Sequence, residues 1–392
     1  MNQRYYSLDV FRGATVALMI LVNNPGSWAH IYSPLEHATW HGCTPTDLVF
    51  PFFLFAVGNA MAFVMPRFEQ AGDAVFWKKV IKRTLLIFAI GIFLNWSPFV
   101  RWDDENLSWK VWHNVRIMGV LQRIALCYFF ASVIVYYAKT KGAFVISGIL
   151  LLVYWFICLF LGNSGDPYSL SGWFGTQIDI NVLGLSHIYK GEGVPFDPEG
   201  LTSTTAAIVQ VIFGFFVGQY IQQKARPNDE AGRGKSYEML SNLFVIGLVL
   251  FFIGYCWDMV FPVNKKIWTS SYMLYTTGLA IMALGILIYL IEFKGAKGAW
   301  SKFFDVFGKN PLFIFVLSGF LPRVLAVLRW VDHVTPEGKK VYTSFFPWFY
   351  EHVCKNIAED LRVGSLVYAL CMIAMYWAIV YLLDKKKMYI KV

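Results

Sequence analysis

Residues 143–162 read AFVISGILLLVYWFICLFLG, a stretch of twenty positions without an acid, a lysine or an arginine. A helix rises about 1.5 Å per residue, so a run of this length covers the roughly 30 Å apolar thickness of a bilayer. Just upstream, residues 117–137 form a second run that is interrupted only by Arg123. Outward from this pair, apolar runs recur at 8–24, 45–65, 80–97, 203–222, 239–257, 270–291, 303–321 and 363–383. That makes about ten candidate spans. The fold class expected is all-α: a polytopic integral membrane helix bundle, with residues 1–392 forming a single transmembrane domain. The longest gaps, 163–202 and 322–362, leave no room for a soluble domain.

Composition points the same way. Of 392 residues, 57% are apolar, 18% aromatic and only 15% charged, where a soluble chain carries about 25% charged residues. A soluble enzyme, a disordered tail and a disulfide-stapled secreted domain are excluded. There are six cysteines and no Cys-x-x-Cys. Cys127, Cys158, Cys256 and Cys371 fall in apolar runs and act as small hydrophobes, and Cys43 and Cys354 lie in loops. No metal site is expected. Asp9 and Arg12 interrupt the first apolar stretch and no small-residue cleavage site follows, so that stretch is expected to be a retained helix rather than a signal peptide.

The net charge is +9, from 34 Lys and Arg against 25 Asp and Glu. In a soluble chain this would suggest nucleic acid. Here the basic residues sit between spans and set orientation, so no nucleic-acid partner is expected. Twenty of the 34 fall in segments on the N-terminal side, including Arg4, Arg226 and Lys391. Twelve fall on the other side, half of them in the long 322–362 loop, which the rule discounts. Both termini are therefore expected to be cytoplasmic, and an even number of spans agrees. All seven histidines, His30, His37, His41, His113, His187, His333 and His352, then face the opposite side. Trp residues crowd the same loops, either as an interfacial belt or as a platform for a sugar face.

Charge within a span faces the bundle interior or a wet cavity. Asp9 and Arg12 are three apart and share a helix face; they form a structural ion pair, or Arg12 meets an anionic ligand. Arg123, deep in 117–137, needs a carboxylate, a carbonyl cluster or a phosphate. Lys309-Asn310-Pro311 opens a helix whose free N–H groups either are simply capped or meet an anion.

The segment after the first span is the most informative. It carries Asn23 and Asn24, then His37-Ala38-Thr39-Trp40-His41-Gly42-Cys43-Thr44-Pro45-Thr46-Asp47. Thr44 or Thr46 can cap the second helix, and Asp47 in its first turn complements the dipole. An imidazole gains and loses protons near neutral pH, and a carboxylate ten residues beyond His37 makes acid–base work feasible. Asp197 and Glu199 sit in a Pro-flanked turn that either caps a helix or holds a hydroxylated acceptor. Residues 262–271, with Trp268, form a similar short loop.

At these residues the chain resembles the heparan-α-glucosaminide N-acetyltransferase family of membrane acyltransferases. Six stretches match its pattern in order: 7–13, 37–51, 119–125, 196–201, 264–271 and 308–312. The resemblance implies transfer of acetyl from cytoplasmic acetyl-CoA to an amino sugar or glycan across the membrane. Under it His37 is the general base, assisted by Asp47, and Asn23 polarises the thioester. Arg12, Arg123, Lys309 and Asn310 are expected to hold acetyl-CoA, with Asp197, Glu199, Trp40 and Trp268 at the acceptor. Animal members carry an additional N-terminal region, so the chain looks like a bacterial member in the inner membrane. Membrane lipid and the acceptor are the expected partners, with a homodimer left open. O-acetylation of an envelope glycan, or solute transport, are the competing readings.

Overall fold

The computed structural model describes residues 5–163, 165–224 and 230–390. Arg4, Arg226 and Lys391, counted above for orientation, lie outside the described residues. Thirteen α-helices are described: α1 (Tyr6–Asn23), α2 (Val49–Ala62), α3 (Met65–Ala71), α4 (Asp73–Trp96), α5 (Val120–Leu161), α6 (Gly175–Leu183), α7 (Thr204–Lys224), α8 (Glu230–Trp257), α9 (Ser270–Ile288), α10 (Ala299–Lys309), α11 (Pro311–Leu325), α12 (Phe345–His352) and α13 (Leu361–Lys385). The fold is all-α apart from two small antiparallel hairpins that the sequence reading did not anticipate. These are β1 (Val100–Asp103) with β2 (Asn106–Trp109), and β3 (Arg329–Val334) with β4 (Lys340–Ser344).

Seven helices among the described residues are long and apolar enough to cross a bilayer, or eight if one bent pair counts as a span. The bent pair is α10 and α11, which meet at 78°. The sequence suggested one continuous run over 303–321. The chain turns instead at Asn310 (φ −129°, ψ 48°), and Pro311, which has no N–H, starts the next helix. α5 is 42 residues long, about twice what a bilayer needs. Its backbone leaves helical geometry at Lys139 (φ 55°, ψ −176°), between the two runs from which the sequence reading began. α4 is long enough but holds Lys78, Lys79, Lys82 and Arg83 in its first half.

Burial sorts the helices into inner and outer positions. About two thirds of the most apolar 18-residue stretch of α1, the α2 segment and α7 is buried, against 22% of that stretch in α5 and 28% in α8. The exposed faces of α5 and α8 carry Phe144, Leu152, Phe156, Phe160, Leu248 and Phe252. A chain that leaves such residues open needs lipid around them. Inside, α1 lies directly against α10. A Cβ on Gly13 would overlap the carbonyl of Phe304, and one on Gly308 would overlap that of Asp9. Only glycine permits this approach.

Candidate active site

The 37–47 segment is tied to the loop before α9. The N–H of Gly42 donates to Val263 O at 2.7 Å, and Gly42 pairs with Asn264 as an isolated bridge. Gly42 has φ +104°, which disfavours side chains there. Thr44 then caps the turn that leads into α2. The Thr44 N–H donates to Asp47 Oδ2 at 3.0 Å, as the Ala38 N–H does, and the Thr44 hydroxyl lies 3.1 Å from the same oxygen. These bonds fix Asp47 so that its other oxygen, Oδ1, lies 2.7 Å from His37 Nδ1. Asp47 is 1% exposed at the side chain and His37 is 39% exposed.

Lys265 completes the group. Its Nζ is 3.3 Å from Asp47 Oδ1 and 3.0 Å from His37 Nδ1. One ring nitrogen cannot both donate to Asp47 and accept from the Lys265 ammonium. If Nδ1–H donates to Asp47, the ammonium sits beside the ring as a charge and Nε2 keeps its lone pair. Burial pushes the Lys265 ammonium below the usual lysine range, and the charges of Asp47 and Glu199 oppose that shift. Burial also pushes the Cys43 thiol up to about 12, which keeps it protonated beside Asp47.

Glu199 leads to a second ionic group. Arg116 donates through Nε to Asp197 at 2.9 Å, and through Nη2 to Asp197 and Glu199, both at 2.5 Å. Arg123 is fully buried; it donates to Gly200 O at 3.1 Å and to the Ser203 hydroxyl, and its guanidinium lies 5.2 Å from the Trp268 ring centre. Asp47, Asp197 and Glu199 are thus balanced by Lys265, Arg116 and Arg123. Asp179 is a further carboxyl here. Its Oδ1 accepts from the Thr202 N–H and hydroxyl, and burial raises its pKa to about 6.

A cavity of about 380 Å³ adjoins this group. Arg116 lines it, together with Asn23 and Asn24 at the end of α1, Asn95 of α4, Gln122 of α5 and Arg323 of α11. The Asn24 amide is committed to Ile20 O at 2.9 Å, while Asn23 is exposed and its side chain has no hydrogen-bond partner among the described residues. His37 is not in the cavity wall; it is linked to it through Lys265, Glu199 and Arg116.

Three expectations need adjusting in geometry. Arg123 does not group with Arg12 and Lys309: α5 begins at the His37 end, so a residue in its first turn stays there, and its partners are a carbonyl and a hydroxyl. Trp268 is fully buried, with Arg123 over its ring and the edges of Phe50 and Tyr272 against it, so it offers no face to a sugar. Asp197 and Glu199 bind Arg116 rather than standing open. Trp40 stays half-buried; its Nε1 donates to Tyr168 O at 2.8 Å, and Lys266 lies 5.8 Å from its ring centre. At the opposite end of α1, Arg12 binds Asp9 at 2.6 Å and Gly308 O at 2.7 Å. Lys309 binds Asp305 at 2.8 Å and Asp384 at 3.1 Å. Asn310 holds the C-terminal tail through Met388 O and the Ile390 N–H. The sequence reading missed Lys265 and Arg116. Lys265 stood within the matched stretch 264–271, and Arg116 just before an apolar run.

Residues 4–176 match the family model described as heparan-alpha-glucosaminide N-acetyltransferase, catalytic. The heparan-alpha-glucosaminide N-acetyltransferase of Homo sapiens is 27% identical over 96% of the chain, and that of Mus musculus 26% over 99%. The chain is related to this family. It spans about 60% of the length of the curated relatives it matches. The family match covers His37, Asp47, Asn23 and Arg116, and ends before Asp179, Asp197 and Lys265.

Proposed function

We propose that the chain is a transmembrane acetyltransferase of glucosaminide type in a bacterial inner membrane. It passes acetyl from acetyl-CoA on the cytoplasmic side to an amino sugar or glycan on the other. The observation that carries this reading is the fixed His37–Asp47 pair, connected through Lys265, Glu199 and Arg116 to a cavity lined by carboxamides. The relatives' names supply the reaction class.

Ten crossings suit this reading. The break at Lys139 divides α5 into two spans, the bent α10–α11 pair supplies one, and α4 supplies another. Both termini then share the cytoplasmic side. The near end suits an anionic donor, since Arg12, Lys302, Lys309 and the exposed Lys385, Lys386 and Lys387 outnumber Asp9, Asp305 and Asp384. Acetyl-CoA supplies an activated acyl carbon and a thiolate leaving group.

The chain's own residues do the rest. Asp47 holds the His37 ring with Nε2 as the base for the acceptor ammonium or amine proton. Asn23 donates to the thioester carbonyl. Transfer is direct: the amine nitrogen bonds to the acyl carbon, the C–S bond breaks with its electron pair on sulfur, and the proton taken by His37 returns to that thiolate.

Purified protein is given labelled acetyl-CoA with glucosamine-terminated or N-acetylated saccharides, and products are read by mass spectrometry. Label on the amine supports the reading. Label only on hydroxyls of the N-acetylated acceptor replaces it with O-acetylation, and no labelled saccharide rejects it.

A further inference from the structure

Lys265 and Lys266 are neighbours in sequence and go to different partners. Lys266 Nζ lies 2.6 Å from Glu192, while Lys265 Nζ reaches Asp47 and His37 across the Gly42–Asn264 bridge. The turn that carries them is closed by its own hydrogen bonds. The Trp268 N–H donates to Lys265 O at 3.2 Å, and the Ile267 N–H to Asn264 Oδ1 at 3.1 Å. Trp268 sits at φ +49°, a conformation that a bulky residue rarely adopts.

Two distances place the Lys265 ammonium over the imidazole face. Its Nζ is 3.0 Å from His37 Nδ1 and 3.5 Å from Nε2. On the axis of the Nδ1 lone pair it would be farther from Nε2 by nearly the width of the ring. Elsewhere in the ring plane, a point this close to both nitrogens would overlap a ring carbon. Nζ therefore stands off the plane. The Nδ1 axis is left to Asp47 Oδ1, at 2.7 Å. The ring thus has an anion at one nitrogen and a cation over its face, and neither occupies the Nε2 lone pair.

We propose that Lys265 is a positioning residue for the transfer, a fixed positive charge that keeps Nε2 of His37 unprotonated until the acceptor delivers its proton. This rests on the acetyltransferase reading above. Asp47 alone would favour a charged ring, because an anion in contact stabilises the protonated form; a cation over the ring opposes it. As the amine nitrogen bonds to the acyl carbon, its proton passes to Nε2. When the C–S bond breaks, the electron pair stays on sulfur and that proton moves to the thiolate. A ring charged beneath a cation gives its proton up more readily. The other titratable groups around the pair are exposed Glu36, His41 at 3.4 Å from the Asn264 amide, Cys43 as a neutral thiol, and Glu199, whose charge supports the ammonium.

The test uses the full-length protein with Lys265→Gln, which keeps a donor for Asp47 and removes the charge, and Lys265→Arg, which keeps the charge. Diethyl pyrocarbonate acylates neutral imidazole, so carbethoxylation of the His37 peptide is followed against pH by mass spectrometry, without turnover. The acid limb of kcat/KM is measured alongside. Acetyl-CoA binding checks that each variant is folded, and Lys265→Met replaces Lys265→Gln if it is not. Removing the charge should move both midpoints up by about one to two pH units. Lys265→Arg should leave both within about 0.5 unit of the unsubstituted protein. Unmoved or lowered midpoints in the uncharged variant overturn the proposal. So does an equal shift in Lys265→Arg, which would show that Lys265 acts through packing. If the carbethoxylation midpoints move as expected but the unsubstituted protein transfers no acetyl, the charge assignment stands and the acetyltransferase reading is what fails.

Discussion

Asp47 Oδ1 lies 2.7 Å from His37 Nδ1, while Oδ2 of the same carboxylate caps the turn that carries it. One side chain therefore fixes both the path of the loop and the orientation of the imidazole. Replacing Asp47 by Asn keeps an acceptor oxygen for one role but not for both. Asp47→Asn should lower kcat by roughly 10²–10⁴, since the ring can settle in the wrong tautomer. His37→Ala should abolish transfer while acetyl-CoA binding, measured by calorimetry, stays intact. Near-normal turnover in His37→Ala would remove His37 from the chemistry. Labelled acetyl on His37 in the absence of an acceptor would replace direct transfer with an acetyl-enzyme.

Arg116 joins two carboxylates, one of them, Asp197, 1% exposed. Arg116→Ala leaves both without a direct cation at that spot. Removing one partner of a buried pair costs about 3–5 kcal/mol, so unfolding in detergent should occur at a distinctly lower temperature. A melting temperature within a degree of the unsubstituted protein would show that Arg123 and Lys265 suffice for both acids.

Asp179 gives a pH signature. Its pKa rises from 3.8 to about 6 on folding, with burial as the largest cause. An acid whose folded pKa is raised is penalised when ionised. The penalty is absent below the unfolded value, grows between the two, and is complete above the folded one. About two pKa units correspond to ~3 kcal/mol. Asp179→Asn keeps an acceptor for Thr202 and removes the charge. It should raise the melting temperature most above pH 6 and hardly at all near pH 4. An increase independent of pH would contradict this assignment.

Gly13 sits where α1 touches the backbone of α10. Gly13→Ala forces the helices apart, and overpacking of this kind costs about 1–3 kcal/mol. The effect should appear as thermal destabilisation. The Lys309–Asp384 contact lies one turn of α10 beyond Phe304, so cross-linking of cysteines introduced at 309 and 384 should also weaken. An unchanged melting temperature would show that the interface can slide.

Helix existence was legible because each apolar run is as long as a bilayer is thick, and charge placement marked the ends. The break at Lys139 was legible as the gap between two runs. The bend at Asn310 was half visible: Pro311 marked a helix start, but not that the preceding helix would turn through 78°. The hairpins at 100–109 and 329–344 were not legible, since each strand is only four to six residues long and only β1 alternates cleanly in burial. His37 and Asp47 could be paired on the page because they lie ten residues apart in one loop. Lys265 could not be added, because only the bridge between Gly42 and Asn264 brings that distant loop alongside. Arg123 could be recognised as buried, but its partners at Gly200 and Ser203 depend on how α5 meets α7.

The most direct measurement uses sealed proteoliposomes whose orientation is sorted by protease access to the Lys385–Lys387 tail. Labelled acetyl-CoA is supplied only on the tail side, and a glucosamine-terminated saccharide only on the other. N-acetylated product should accumulate in the saccharide compartment, and none should form with His37→Ala. Product that forms only when both substrates share one compartment would contradict transfer across the membrane.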